Sequence, residues 1–183
     1  IGATLLTIAE EMGTSLIRSS YSTNIKERQD CSTAIFDAEG RVIAQAEHIP
    51  MHLGSLLGVV GEILKRYPTS ELAPGDVFIA NDPYSGGGTH LPDINLVAPV
   101  YADGDLFGFV ANIAHHADRT GDKIRTIWDE GLRITPIRLV EAGRMRDDLM
   151  ALLLANFALP DQRRGDFRAQ LAANRLGERR LHE

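Results

Sequence analysis

Apolar residues recur every three or four positions in several stretches of the chain, the spacing that places side chains on one face of a helix. The first stretch holds Ile1, Leu5, Ile8, Met12 and Leu16 and predicts an amphipathic helix that ends near Arg18. No Ser, Thr or Asp precedes this helix, so we expect the chain to continue a longer sequence. Further helices are predicted over residues 53–66, 147–157 and 161–180.

Short runs rich in β-branched and aromatic residues, bounded by turn signals, predict the strands. Gly40 closes one four-residue turn and can take the positive φ that a tight hairpin needs. Ala102-Asp103-Gly104-Asp105 is a second turn, within residues 94–114, and Pro136 marks an edge strand. The predicted strands cover residues 32–36, 41–46, 77–80, two segments within 94–114, and 134–140.

The order of these elements favours one fold class. Strand pairs and helices arrive in clusters rather than in strict alternation, which is typical of α+β proteins rather than of a doubly wound sheet. We therefore expect a mixed, largely antiparallel sheet with hairpins, packed by amphipathic helices. With 183 residues, 44% of them hydrophobic, the chain is long enough for one sizeable core, and residues 1–183 are expected to form a single domain.

Charge and cysteine content narrow the function classes. The 19 basic and 25 acidic residues give a net charge of -6, which argues against nucleic acid as a partner. No membrane-spanning run or signal peptide is visible, so we expect a cytoplasmic protein without a membrane partner. Cys31 is the only cysteine, which excludes an intrachain disulfide and a thiolate zinc cluster, and its apolar neighbours predict a buried thiol.

Three residues have the types and the spacing of a metal site. His90 and Asp93 lie three positions apart in a turn that Pro92 stiffens, and His115 ends a long apolar run. A hairpin over residues 94–114 would bring His115 back beside the other two. Two histidines and a carboxylate are a minimal ligand set for a catalytic divalent metal such as zinc, manganese or iron.

The remaining polar residues near these motifs have less specific roles. A single histidine is more often a hydrogen-bonded core residue than a ligand, and His116 would point to the opposite face of the strand from His115. We assign His116 to the layer around the metal or to substrate contact, and Asp118 to orienting a ring. His48 and His52 are expected on the substrate side or as a pair that supports a loop, since Pro50 between them excludes a helical zinc motif.

Several segments together resemble the hydantoinase B/5-oxoprolinase family over nearly the whole chain. The most specific are Asn24-Ile25-Lys26-Glu27-Arg28-Gln29-Asp30, His48-Ile49-Pro50-Met51-His52, Asn81-Asp82-Pro83-Tyr84, Gly87-Gly88-Thr89-His90-Leu91-Pro92-Asp93 and Ala114-His115-His116-Ala117-Asp118. Subunits of this family are much longer than 183 residues, so the resemblance implies the N-terminal, metal-binding part of such a subunit. The loop after Asp118 is shorter than is usual in the family.

The resemblance implies an activity and a set of roles. Members of the family open lactam or hydantoin rings that an ATP-dependent partner, a hydantoinase A-like subunit or domain, has phosphorylated. The implied metal ligands are His90, Asp93, His115 and Asp30, with His116 or Asp118 as general base or orienting group. Two alternatives stay open: an α-type subunit of a related carboxylase, and a structural or interaction subunit without catalysis.

Overall fold

A computed structural model describes residues 2–47, 52, 54, 56–85, 88–116 and 125–183 of the chain. The helices among them are α1 (Gly2–Ser19), α2 (Thr23–Lys26), α3 (Val59–Arg66), α4 (Ile127–Glu130), α5 (Asp147–Ala155) and α6 (Pro160–Leu181), and two 3₁₀ turns cover Thr69–Glu71 and Pro83–Ser85. The strands are β1 (Cys31–Asp37), β2 (Val42–Glu47), β3 (Val77–Ala80), β4 (Asp93–Ala102), β5 (Asp105–His115), β6 (Ile137–Glu141) and β7 (Arg144–Met145).

The seven strands form one sheet in the order β2-β1-β5-β4-β3-β6-β7, and every neighbouring pair is antiparallel. The expected α+β class with a largely antiparallel sheet is therefore confirmed. Both predicted hairpins are present. Gly40, in the turn between β1 and β2, has φ +80°, the left-handed backbone that its lack of a Cβ permits.

Each face of the sheet buries its own apolar layer, because successive side chains of a strand point to opposite sides. On one face α1, α5 and α6 pack over Ile94, Leu96 and Val110. On the other face α3 packs over Val97 and Phe109. Even-numbered residues of β4 and β5 thus face α6, and odd-numbered residues face α3, which decides where each polar residue at the strand ends points.

The helices agree with the amphipathic pattern, with shifts at their ends. The helix predicted over 53–66 begins only at Val59, because Gly54 and Gly58 lower helix propensity and the described residues around them form turns. α6 begins at Pro160, one residue before the predicted start, since proline suits the first helical turn. The short helices α2 and α4 were not predicted, because four residues are too few to show a period. None of the helices formed by the described residues combines the length and apolarity needed to cross a bilayer.

The prediction of an edge strand over 134–140 is wrong in two respects. β6 begins at Ile137, where it pairs with Ile79, because Pro136 has no N–H to donate to the ladder. β6 also lies between β3 and β7, so the two-residue β7 forms that edge of the sheet. Ile134 is instead held by the Asn81 side chain, whose Oδ1 accepts from the Ile134 N–H at 2.6 Å.

Candidate metal centre

The ends of two paired strands bring the predicted ligands together. Asp93 is the first residue of β4 and His115 is the last residue of β5, and the two lie directly opposite each other in the pairing. A tight turn precedes β4, in which the Asp93 N–H donates to the carbonyl of His90 at 3.1 Å. All three residues therefore lie at one corner of the sheet, with Asp93 and His115 on the face that α3 covers.

The ligating atoms of His90, Asp93 and His115 all lie within 4.8 Å of one another. Nδ1 of His90 is 2.8 Å from Oδ2 of Asp93, and Nε2 of His90 is 3.1 Å from Nε2 of His115. Since His90 donates from Nδ1 to the carboxylate, its neutral ring keeps the Nε2 lone pair for a ligand. A carboxylate behind a ligating imidazole is the usual arrangement around protein-bound metals.

These three residues fit a divalent metal on two observations. A metal ion that binds two imidazole nitrogens at about 2.0–2.1 Å holds them about 3 Å apart. Nε2 of His90 and Nε2 of His115 already have this separation. Oδ1 of Asp93 is buried and has no hydrogen-bond partner among the described residues. A buried carboxylate oxygen without a partner is costly, and a cation would compensate it.

The charge state of Asp93 also suits a cation. Burial opposes ionisation of this carboxyl, whose residue is 1% exposed. Hydrogen bonds from His90 and Thr89 and the nearby His52 outweigh burial, so the pKa of Asp93 lies below its ordinary value. Asp93 is thus an anion at neutral pH.

Asp30 and His52 lie beside this cluster. Asp30 immediately precedes β1, and its carbonyl accepts the N–H of His115 at 3.0 Å. Its carboxylate oxygens are 4.0 Å from Nδ1 of His115 and 3.4 Å from Nε2 of His52. Nε2 of His52 is also 3.9 Å from Oδ1 of Asp93. Two carboxylates and three imidazoles therefore meet at this corner.

Three residues that support the site were given no role in the sequence analysis. Nδ2 of Asn24 donates to Nδ1 of His115 at 2.8 Å and fixes the orientation of that ring, and the neutral ring then has its proton on Nε2. Metal binding through this Nε2 requires a half-turn of the amide, which presents Oδ1 to an Nδ1–H. The hydroxyl of Thr89 donates to Oδ2 of Asp93 at 2.8 Å. The hydroxyl of Ser32 is 3.0 Å from Nδ1 of His52. Asn24 and Thr89 both belong to the motif segments quoted above, which was the available signal.

His116 faces the other way, as its position in the strand predicts. Its Nε2 is 3.0 Å from Oε1 of Gln170, and its ring packs against Phe167, both on α6. Burial, followed by the positive charge of Arg163, lowers the pKa of His116 to about 4. His116 is thus neutral and separate from the three-residue cluster. His48 and Asp118 lie outside the described residues.

Comparison with known proteins agrees with the motifs. The model of a family described as hydantoinase B/oxoprolinase matches residues 1–183. The chain is 39% identical to 5-oxoprolinase 1 of Arabidopsis thaliana over 93% of its own length, and 34% identical to caprolactamase subunit beta of Pseudomonas jessenii over 98%. The crystal structure of the ATP-dependent caprolactamase from Pseudomonas jessenii superposes with a TM-score of 0.88 over 98% of the chain and 32% of that structure's chain.

A more distant structure shares the fold alone. A nucleotide-free acetone carboxylase superposes on 98% of the chain, and on 25% of its own, with a TM-score of 0.84 at 17% identity. The chain spans 15% of the length of the Arabidopsis protein and 32% of caprolactamase subunit beta. The chain therefore corresponds to only part of each of these relatives.

Proposed function

The chain belongs to the hydantoinase B/oxoprolinase family, and on that premise we propose that it carries the divalent-metal centre of an ATP-dependent enzyme that opens cyclic amides. The observation that carries the proposal is the cluster of His90, Asp93 and His115, whose ligating atoms lie within 4.8 Å of one another. The names of the relatives supply the reaction class, since 5-oxoprolinase and caprolactamase both denote lactam-opening enzymes.

In this proposal His90, Asp93 and His115 hold the metal, and Asp30 is the fourth ligand or orients His115. A divalent metal bound there would polarise the reacting carbon and make water a better nucleophile at neutral pH. Asn24 and Thr89 keep His115 and Asp93 in place, which limits the reorganisation that the reaction requires. His52 faces both carboxylates and, with His48, contacts substrate on that side.

His116 and Asp118 complete the proposed machinery. Asp118 is proposed as the group that accepts a proton from water or orients the group that does. His116 lies on the face of the sheet next to α6, so its proposed contribution is contact with substrate or product from that side.

The proposed partner is an ATP-binding hydantoinase A-like subunit or domain that activates the cyclic amide by phosphorylation. The word "ATP-dependent" in the name of one relative and "subunit beta" in another support a heteromeric enzyme in which ATP is used outside this chain. None of the motifs in the present sequence is a nucleotide-binding loop, because the triple glycine at 86–88 is not followed by Lys-Ser/Thr.

The exposure of His90 favours a catalytic over a structural metal site. Its side chain is 35% exposed, whereas the side chain of Asp93 is 1% exposed. Structural sites are closed by four protein ligands, while catalytic sites keep a position open to solvent or substrate. The three ligands that cluster among the described residues, with one at the surface, match the second type.

The experiment uses the full-length protein with its ATP-binding partner. Metal content is measured by plasma mass spectrometry, and ring opening is measured with 5-oxoproline, caprolactam and hydantoin in the presence of ATP. The wild type is compared with a His90→Ala/Asp93→Ala double variant and with Asp37→Asn, which alters an exposed hairpin turn. We expect the double variant to lose metal and ring opening together, and Asp37→Asn to keep both.

Two results would overturn the proposal. Full ring opening by wild-type protein that has been stripped of metal would exclude the metal from the reaction. Inactivity on all three rings, combined with ATP-dependent consumption of bicarbonate, would favour the carboxylase alternative.

A further inference from the structure

A cavity lies beyond the turn that carries His90, on the face of the sheet next to α6. Its volume is about 260 Å³, and it lies between the 91–94 turn, the 130–132 segment and the end of α5. Most of its wall is apolar, formed by Leu91, Ile94, Leu132 and Phe157 among others. Among the described residues, its polar side chains are those of His116, Glu130 and Asn156. A cavity of this size accommodates a small organic molecule.

The hydrogen bonds of Gln170 determine which nitrogen of His116 carries the proton. Nε2 of Gln170 donates to the carbonyl of Ile94 at 2.8 Å, so its Oε1 is the atom that faces His116. An amide oxygen accepts only, and Nε2 of His116 is therefore the protonated nitrogen. Nδ1 of His116 keeps a lone pair. This atom is buried and has no hydrogen-bond partner among the described residues.

Glu130 contributes a second acceptor to the same cavity. Its Oε2 accepts the N–H of Leu91 at 3.2 Å, which holds the carboxylate against the turn. No cation of the described residues lies within ion-pair distance of Glu130. A partly buried carboxylate without a cation attracts a positively charged ligand.

Asn156, at the rim, adds a third acceptor. Its Nδ2 donates to the carbonyl of Leu152 at 2.8 Å, which leaves Oδ1 as the polar atom available to a ligand. Each of these three polar side chains thus offers an acceptor, and the one donor left over among them is the second N–H of Asn156, at the exposed rim. A carboxylate or phosphate inside the cavity would meet the negative charge of Glu130, whereas a primary ammonium group brings three donors and a positive charge.

From this complementarity we propose that the cavity binds a short aliphatic primary amine. The ammonium group contacts the carboxylate of Glu130, the lone pair of the buried His116 Nδ1 adds negative potential behind the cavity wall, and the carbon chain lies against Leu132 and Phe157. Opening a lactam releases such an amine, whereas opening a hydantoin leaves a carbamoylated nitrogen, so the cavity is assigned to the amino end of a ring-opened lactam. That last assignment rests on the proposed function, whereas amine binding itself does not.

The test measures binding in the full-length protein without ATP or substrate, so it is independent of catalysis. Butylammonium is titrated by ligand-observed nuclear magnetic resonance, and butyrate, which has a chain of the same length but an anionic acceptor group, is the control ligand. Glu130→Gln preserves the shape of the side chain and an acceptor for the Leu91 N–H while removing the negative charge. Glu141→Gln, an exposed position on β6 outside the cavity, is the matched control variant.

We expect butylammonium to bind the wild type and the Glu141→Gln variant with dissociation constants within twofold, and Glu130→Gln to weaken binding at least tenfold. His116→Phe keeps an aromatic ring and removes Nδ1, and it should weaken binding several-fold. Butyrate should not compete. Removing metal with a chelator should leave amine binding unchanged, because the cavity and the His90 cluster lie on different faces of the sheet.

The proposal is wrong if butylammonium does not bind the wild type. This result is expected if another part of the longer protein fills the cavity. It is equally wrong if Glu130→Gln binds butylammonium as tightly as the wild type does. Amine binding in a protein that opens no cyclic amide would retain the site and refute only its link to the product.

Discussion

Asp93 lies directly opposite His115 in the antiparallel pair of β4 and β5. Directly opposed residues have their side chains on the same face, and a shift of one residue would replace His115 by His116 and carry the imidazole to the other face. The register of this hairpin therefore decides which of two adjacent histidines joins His90 and Asp93 in the candidate metal site. The His116 N–H donates to the carbonyl of Pro92 at 2.9 Å, which extends the same pairing beyond the strand ends.

The first prediction compares these two histidines. His115→Ala removes a ligand and should reduce bound metal at least tenfold, while His116→Ala should retain most of it, because that ring faces α6. Plasma mass spectrometry of the full-length variants measures the metal, and circular dichroism confirms that each variant is folded. Equal loss of metal in two folded variants would contradict the assignment of faces.

The second prediction concerns Asn24. Its amide is 2.8 Å from Nδ1 of His115 and fixes the ring from behind. Loss of such a supporting contact typically weakens metal binding by about 10–100-fold, so Asn24→Ala should do the same. Competition with a chelator of known affinity measures the change. Arg28→Ala, which removes only a 3.4 Å contact to the far side of Asn24, should stay within about threefold of the wild type.

The third prediction concerns Asn81, which connects the turn that carries His90 to the segment before β6. Its Nδ2 donates to the carbonyls of Leu91 and Leu132, and its Oδ1 accepts from the Ile134 N–H. Asn81→Ala leaves these buried backbone groups without partners, and we expect a loss of about 2–4 kcal/mol in the free energy of unfolding. Urea denaturation measures it. Asn156→Ala, at an exposed position, should cost less than about 1 kcal/mol.

The fourth prediction concerns the buried ion pair of Arg163 and Asp166 at the start of α6. The two side chains are 3.2 Å apart, and Asp166 also accepts the N–H groups of Tyr21 and Ser22. Asp166→Asn leaves a buried guanidinium without its counter-charge, which should destabilise the protein by about 3–5 kcal/mol. Thermal or urea denaturation of this variant, compared with that of the control variant Asp161→Asn, measures the loss of stability. A loss no larger than that of Asp161→Asn would show that Arg163 finds another partner.

The fifth prediction concerns Cys31. Burial, followed by the negative charge of Asp30, raises the pKa of its thiol to about 12. The reactive thiolate is therefore almost absent at pH 8, and the side chain is inaccessible. A disulfide reagent should modify Cys31 far more slowly in the folded protein than in the protein unfolded by urea. The difference should be present at both pH 8 and pH 9. Equal rates in the two states would contradict the burial of β1.

Several features of the molecule were predictable from the sequence because they are local. Two apolar runs and the turn around Gly104 define the β4–β5 hairpin, and the hairpin in turn brings His115 to His90 and Asp93. The resemblance to the hydantoinase B/5-oxoprolinase family is confirmed by the family match over residues 1–183. The ends of elements were less accurate, as at Val59 and Ile137, because glycines and a proline act there against the hydrophobic period.

The surroundings of the site were decided only by the tertiary structure. Asn24 reaches His115 across 91 positions of sequence, and Gln170 reaches Ile94 across 76. No local pattern encodes such contacts, since they depend on how α2 and α6 pack against strand ends. The sequence by itself determined which residues have the types and spacing of metal ligands and that one hairpin joins them. The packed sheet decided which face each histidine takes, which amides hold the rings, and that the face next to α6 has a cavity lined by His116 and Glu130.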